Sequence, residues 1–227
     1  MQKVAFFDID GTVFRSSLLI ELVDKLIEKG IFPHDAPKMY QEAYKLWHNR
    51  EGKYETYIDA AVKVYMTNIR GVFYGELADV GKLVVAEQKK RVYRYTRDLI
   101  HELKSKDYFV VAISQSPKTI LDDFCHHYGF DKVYGRIYEI GPQDKFTGEM
   151  IDYHLIQNKA NIVNRILEKE NVTIDDSIGV GDTAGDISLL ERVTKPICFN
   201  PNSELYAYAK QMDWKVVVER KDVIYEL

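Results

Sequence analysis

Two aspartates follow a short apolar run near the start of the chain, in the segment from Val4 to Val13. Its β-branched and aromatic residues predict a buried strand that ends at Asp8. Asp10 is so close to Asp8 that the two carboxylates repel each other unless a cation or a shared proton intervenes. Mg²⁺, a hard ion that takes oxygen ligands, is the expected neutralising group. Asp8 is then placed to attack as a carboxylate nucleophile, and Asp10 to move a proton.

Two later polar sites also suit an anionic oxygen. Ser114 directly follows the predicted strand 108–113 and precedes a predicted helix 117–128, with Ser116 as its N-cap and Pro117 as its first residue. Gln115 offers a backbone N–H or a side-chain amide at the same point. Lys159 lies in the first turn of a predicted helix 159–169, where a cation opposes the helix dipole at a cost of up to about 1 kcal/mol. That cost indicates a task beyond stability, such as holding a phosphoryl oxygen.

A third strand end carries two more acids. The predicted strand 177–180 is followed by Asp182, and Asp186 comes four residues later on the same face of a starting helix. We expect Asp182 to supply a metal oxygen beside Asp8 and Asp10, provided that their strands are neighbours. Asp186 is better placed to hold Lys159 or a metal-bound water.

The elements that must position these side chains alternate between strands and helices. This order predicts an α/β fold: a Rossmann-like, mostly parallel sheet with helices on both faces. Ligands in such sheets bind beyond the carboxyl ends of the strands. The stretch 18–88 shows only helical periodicity, with an aromatic stripe that predicts packing between helices. We therefore expect a core of residues 1–17 and 89–227 and a small helical cap domain of residues 18–88.

The bulk composition is that of an ordinary globular protein. The 227 residues include 46% hydrophobic and 29% charged ones, and the formal net charge is −4. This balance favours neither a nucleic-acid nor a membrane partner. Cys125 and Cys198 lie in apolar surroundings and predict buried thiols in a reduced, cytoplasmic compartment. The first strand begins by Lys3, so no signal peptide is expected. The sequence leaves the oligomeric state open.

The motifs occur in an order that resembles the haloacid dehalogenase superfamily: D-x-D-G-T, a serine after the second strand, a lysine, and G-D-x-x-x-D. The helical insert after the first motif resembles the cap of the phosphoserine-phosphatase-like subfamily. The resemblance implies a Mg²⁺-dependent phosphatase that acts on a small phosphorylated metabolite through an aspartyl-phosphate on Asp8. It further implies that Asp10 acts as acid and base, and that Asp8, the Asp10 carbonyl and Asp182 bind Mg²⁺. By the same resemblance, Ser114, Gln115 and Lys159 bind the phosphoryl group, and Thr12 supports the turn.

Three positions depart from the phosphoserine enzymes. Ser17 stands where those enzymes usually have a glutamate that holds the substrate's amino group, and the next acid is Glu21. Gln115 replaces a glycine, and Gly185 replaces an asparagine. These departures predict a small phosphomonoester other than phosphoserine.

Other functions remain open on the same motifs. A phosphotransferase shares all of these residues and differs only in passing the phosphate to an alcohol instead of water. A non-catalytic phospho-ligand-binding protein is less favoured, because degenerate members normally lose a carboxylate or the lysine. A dehalogenase would not need Asp10. An ion-pump domain would carry lysine in place of Ile9.

Overall fold

A computed structural model describes the backbone of residues 1–227 and every side chain except that of Tyr153. The strands are β1 Gln2–Phe7, β2 Phe109–Pro117, β3 Lys132–Ile140, β4 Phe146–Ile151, β5 Val172–Gly181, β6 Lys195–Phe199, β7 Lys215–Arg220 and β8 Val223–Glu226. The helices are α1 Leu18–Glu28, α2 Gln41–His48, α3 Tyr54–Asn68, α4 Tyr74–Gln88, α5 Arg94–Ser105, α6 Lys118–His127, α7 Tyr153–Gln157, α8 Lys159–Lys169, α9 Ile187–Leu190 and α10 Ser203–Met212. None of the helices in the described chain is both long enough and apolar enough to cross a lipid bilayer.

All eight strands form one sheet in the order β4-β3-β2-β1-β5-β6-β7-β8. The six central strands pair in parallel, and only the edge strands β4 and β8 run antiparallel to their neighbours. The predicted mostly parallel α/β sheet is confirmed. Because β1 lies between β2 and β5, the carboxyl ends of these three strands meet at one edge of the sheet. The topology therefore brings the residues after each of these strands together.

Successive side chains of β1 are buried on opposite faces of the sheet, so both faces are covered. Val4 and Phe6 are fully buried against apolar residues of α8, on one face. Ala5 and Phe7 are fully buried on the other face, in the large apolar cluster that includes α1, α3, α4 and α6. Successive strand residues point to opposite faces, so a strand buried on both sides has the continuous apolar sequence seen here.

Residues 18–88, called the cap segment below, contain helices and no strand of the described sheet. The aromatic stripe packs between these helices, as predicted: the ring of Tyr57 stacks on that of Trp47 with centroids 5.7 Å apart, and Tyr40 and Tyr44 pack on Tyr57. At its far end, the turn between α3 and α4 pairs through backbone hydrogen bonds with Phe146 of β4. The division into a core domain and a cap domain stays a prediction.

One predicted helix start was wrong. The strand β2 continues through Ser116 to Pro117, and α6 begins only at Lys118, with Pro117 as its N-cap. A proline disfavours the helical conformation of the residue before it, which keeps Ser116 extended. The predicted strand 177–180 is also longer, since β5 begins at Val172. The short elements α7 and β8 were not predicted, because their sequences have no clear period.

Candidate active site

Asp8, directly after the first strand, forms a buried ion pair. Asp8 follows the last residue of β1, and its backbone N–H donates to the carbonyl of Val180 in the neighbouring β5. Lys159 Nζ donates to Asp8 Oδ1 over 2.5 Å and to Asp186 Oδ1 over 2.5 Å. The exposed fractions are only 7% for Asp8, 4% for Lys159 and 1% for Asp186. The lysine thus bridges two acids that come from distant parts of the chain and offsets one of their two negative charges.

The start of α8 explains how Lys159 reaches the acids. Asn158 is the N-cap, and its side chain accepts a hydrogen bond from the N–H of Ala160. This cap fixes Lys159 as the first helical residue, and its ammonium also lies 3.3 Å from the carbonyl oxygen of Ile113 at the end of β2. Lys145, in the loop between β3 and β4, is exposed and is not part of this arrangement.

Three carboxylates form a cluster that fits a divalent cation. Asp8, Asp182 and Asp186 each offer an oxygen within 4.8 Å of the others. Oδ2 of Asp8 is buried and has no hydrogen-bond partner among the described residues. Burial of an unpaired carboxylate oxygen is costly, so such an atom indicates a missing partner. The three acids and Lys159 leave two formal negative charges, which one Mg²⁺ ion would balance with oxygen ligands alone.

The turn after β1 is shaped around Asp182. Gly11 has φ +84°, and a Cβ atom at this position would overlap Oδ2 of Asp182. Glycine is therefore required both for the backbone conformation and for the close approach of the carboxylate. The next residue, Thr12, is fully buried and donates from Oγ1 to Asp182 Oδ1 over 3.2 Å. The D-x-D-G-T segment thus positions an acid from the fourth motif.

The carboxylate of Asp10 is not one of the three in this cluster, and it is bound by other donors. Its Oδ1 accepts the backbone N–H of Leu18 at the start of α1, over 2.6 Å. Its Oδ2 accepts the hydroxyls of Ser114, over 2.5 Å, and Ser116, over 2.8 Å. Both oxygens of Asp10 are therefore held in place, and one of the donors comes from the cap segment.

Sequence reasoning missed Ser116 as a site residue. Its Oγ also accepts the backbone N–H of Leu19, so it connects Asp10 to the first turn of α1. Once β2 extends to Pro117, Ser114 and Ser116 lie two residues apart on one face of a strand. The S-x-S spacing was the available signal. Gln115, between them, is exposed, and its Oε1 accepts a hydrogen bond from Arg136 of β3.

A tight turn after β5 positions the last two acids. Oδ2 of Asp186 accepts the backbone N–H groups of Asp182 and Thr183, each over 3.0 Å. Thr183 and Asp186 cap the short 3₁₀ turn Ala184–Asp186 reciprocally. One oxygen of Asp186 thus organises the turn and the other binds Lys159. The structure places Asp186 against Lys159 and also within the carboxylate cluster.

Burial and mutual repulsion change the acidity of the cluster. Burial raises the pKa of Asp8 to about 7, against the opposing charge of Lys159. Burial, together with the charge of Asp8, raises the pKa of Asp182 well above its ordinary value. Burial alone would lower the pKa of Lys159, but the charges of Asp186 and Asp8 raise it instead, so the ammonium stays protonated. The raised pKa values of the two carboxyl groups show that the cluster has more negative than positive charge, which a bound cation would offset.

Comparison with known proteins shows what this chain is similar to. The family model of haloacid dehalogenase-like hydrolases matches residues 5–191, a range that includes all four motifs. The histidinol-phosphatase of Neisseria meningitidis serogroup C is 25% identical over 222 residues, which is 96% of this chain and 99% of the relative.

Two solved structures share the fold. A protein of unknown function from Bordetella pertussis Tohama I superposes with a TM-score of 0.76 at 18% identity, covering 95% of this chain and 98% of the other. A phospho-aspartyl intermediate analogue of phosphoserine phosphatase superposes with a TM-score of 0.62 at 20% identity, covering 97% of this chain and 95% of the other. The chain belongs to the haloacid dehalogenase-like hydrolase family and has the fold of phosphoserine phosphatase.

Proposed function

We propose that this protein is a Mg²⁺-dependent phosphatase that hydrolyses a small phosphomonoester through an aspartyl-phosphate on Asp8. The observation that carries the proposal is the buried, unpaired Oδ2 of Asp8 within a cluster of three carboxylates that one lysine leaves under-neutralised. The family assignment and the phosphatase names of the relatives support the reaction class.

In this proposal, Asp8, Asp182 and the backbone carbonyl of Asp10 would hold the metal, and Asp186 keeps Lys159 in place. When bound, the ion would supply positive charge that offsets the negative charge of the phosphoryl oxygens. Gly11 allows Asp182 to approach the turn, and Thr12 restrains one of its oxygens.

The first chemical step transfers the phosphoryl group to the protein. A carboxylate oxygen of Asp8 attacks phosphorus while the bond from phosphorus to the leaving-group oxygen breaks. Asp10 donates a proton to the departing alkoxide, which leaves as the alcohol. Lys159 and Ser114 bind the phosphoryl oxygens, Lys159 through its charge and Ser114 through its hydroxyl. Both groups now bind carboxylates, so the phosphoryl group would replace part of these contacts.

The second step regenerates Asp8. Asp10 accepts a proton from water, whose oxygen attacks phosphorus as the bond to Asp8 breaks, and inorganic phosphate leaves. Ser116 and Leu18 still restrain the Asp10 carboxylate when Ser114 binds the phosphoryl group, which keeps Asp10 in position for both proton transfers.

The leaving group is proposed to differ from that of phosphoserine. Ser17 is buried at the position where the phosphoserine enzymes usually have a glutamate. The next acid, Glu21, is paired with Arg91 over 2.8 Å. Neither residue offers a free carboxylate to a substrate amino group.

The test is turnover of p-nitrophenyl phosphate with and without Mg²⁺. We expect Mg²⁺-dependent release of phosphate that is abolished by Asp8→Asn and by a chelator. Asp59→Asn, at an exposed position of α3, is the matched acid-to-amide control. Activity that persists in Asp8→Asn would reject this residue as the nucleophile.

A panel of phosphorylated metabolites then identifies the substrate, and an added alcohol tests the alternative of phosphoryl transfer. Formation of a new phosphate ester, in preference to inorganic phosphate, would favour a phosphotransferase. Binding of phosphorylated compounds without any turnover would favour a non-catalytic binding protein.

A further inference from the structure

Besides the apolar packing that it shares with the core and the bonds donated by Leu18 and Leu19, the cap segment has two contacts of unequal strength near the ends of α3. At the turn between α3 and α4, the N–H of Gly71 donates to the carbonyl of Phe146 over 2.8 Å, and the N–H of Phe146 donates to the carbonyl of Val72 over 2.9 Å. Phe146 is itself buried, so this attachment combines two backbone bonds with apolar packing. At the other end of α3, one side-chain hydrogen bond joins the same helix to the core: Nδ2 of Asn202 donates to Oε1 of Glu55 over 2.7 Å.

Asn202 connects this side-chain contact directly to the acid cluster. Its backbone N–H donates to the carbonyl of Asp182 over 2.8 Å. Its Oδ1 caps α10 by accepting the N–H of Leu205 over 2.9 Å, which fixes the orientation of the side-chain amide. The Nδ2 group is then directed at Glu55. A single residue thus contacts an acid of the cluster, a core helix and the cap segment.

The N-terminal end of α3 lies near the catalytic acids. Tyr54 begins the helix, next to Glu55. Burial raises the pKa of Tyr54, and the negative charges of Asp10 and Asp182 raise it further, so the hydroxyl lies within the field of both acids. Asp8 is nearly inaccessible in this arrangement.

We propose that Glu55 and Asn202 are positioning residues that form a latch: their hydrogen bond holds the N-terminal end of α3 against the loop that carries Asp182, closed over the acid cluster. The inference rests on the proposed phosphatase function. Of the two contacts, the single side-chain bond is the one that opens with less loss of hydrogen bonding and packing. Closure would exclude water and fix the substrate against Asp8.

The test reverses the direction of the hydrogen bond between residues 55 and 202. Asn202→Asp keeps the helix cap, because aspartate and asparagine are equally good N-caps, but it places two carboxylates face to face. Adding Glu55→Gln restores a donor opposite an acceptor in the reverse direction. We expect Asn202→Asp to lower kcat/KM about tenfold or more, the loss of a hydrogen bond to a charged group. The double variant should regain most of this activity.

The fluorescence of Trp47 is a second readout, which reports on the environment of the cap segment. Trp47 packs against Tyr54 with ring centroids 5.1 Å apart, and the other tryptophan of the chain is Trp214. In a Trp214→Phe background, Trp47 fluorescence should shift to longer wavelength in Asn202→Asp and return in the double variant. Glu51→Gln, at an exposed position of the same segment, should change neither readout.

If Asn202→Asp lowers global stability, Glu55→Ala is the variant to measure. It removes the acceptor of the latch and leaves the N-cap of α10 intact. It should reproduce both effects. Unchanged kcat/KM and fluorescence in Glu55→Ala, or a double variant as impaired as the single one, would overturn the latch. Failure of the proposed function gives a different result: the wild type would not turn over any phosphomonoester, while the fluorescence shift would still test the latch.

Discussion

The ammonium of Lys159 lies between the carboxylates of Asp8 and Asp186, with Nζ 2.5 Å from one oxygen of each. All three groups are buried. Asp186 is thereby both the residue that orders the turn after β5 and the residue that holds the lysine. The proposed nucleophile Asp8, the proposed phosphate-binding residue Lys159 and the turn after β5 are connected by two ion pairs.

Lys159→Met should therefore destabilise the metal-free protein. Removing one partner of a buried ion pair leaves uncompensated charge and costs roughly 3–5 kcal/mol. Urea unfolding near neutral pH, with a chelator present, measures the free energy of unfolding. Lys145→Met, at an exposed loop position, is the matched control and should change it by less than about 0.5 kcal/mol. Equal stability of the two variants would contradict the buried pair.

The metal-free protein should also lose stability as the pH rises. The pKa of Asp8 is raised from 3.8 to about 7, so between these values the folded protein holds a proton that the unfolded chain has released. Raising the pH through this window therefore lowers the free energy of unfolding. Mg²⁺ binds the ionised cluster and should reverse the loss. Urea unfolding at several pH values, with chelator or with Mg²⁺, tests this, and a metal-free stability that rises with pH would contradict it.

Ser116→Ala should lower kcat by about 10-fold to 100-fold without a comparable loss of Mg²⁺ affinity. The substitution removes a hydrogen bond to the Asp10 carboxylate and an acceptor for the N–H of Leu19. Hydrogen bonds to charged groups contribute about 1.5–3 kcal/mol. Steady-state kinetics against Mg²⁺ concentration separates the two effects. Ser105→Ala, at the exposed end of α5, should leave both values unchanged.

Gly11→Ala should damage the metal site more than its backbone strain alone explains. Gly11 has φ +84°, and an added Cβ would displace the Asp182 carboxylate. Gly129 has a similar φ of +77° with nothing within 4 Å of an added Cβ, so Gly129→Ala measures the conformational strain, about 1–2 kcal/mol. Calorimetric titration with Mg²⁺ should show weakened binding only in Gly11→Ala. Equal Mg²⁺ affinity in both variants would argue against the close approach of Asp182.

The amino-acid sequence determined most of the local elements and the chemistry of the strand ends. The apolar period of α1 predicts Leu18–Glu28, and the start at Lys159 predicts α8, both with the observed bounds. Continuous apolar runs predict buried parallel strands, since alternation disappears when both faces are covered. Local sequence is sufficient here because hydrophobic period and capping residues act within a few positions.

The tertiary structure alone decided which polar groups meet. Lys159 is 151 residues from Asp8, and Asn202 is 147 residues from Glu55. Such contacts depend on strand order, because β1 lies between β2 and β5 and brings their ends to one edge. The placement of Asp10 against Ser116 depended on how far β2 extends before α6 begins. Spacing along a chain specifies the face of one element, but only the packed sheet fixes distances between residues on different elements.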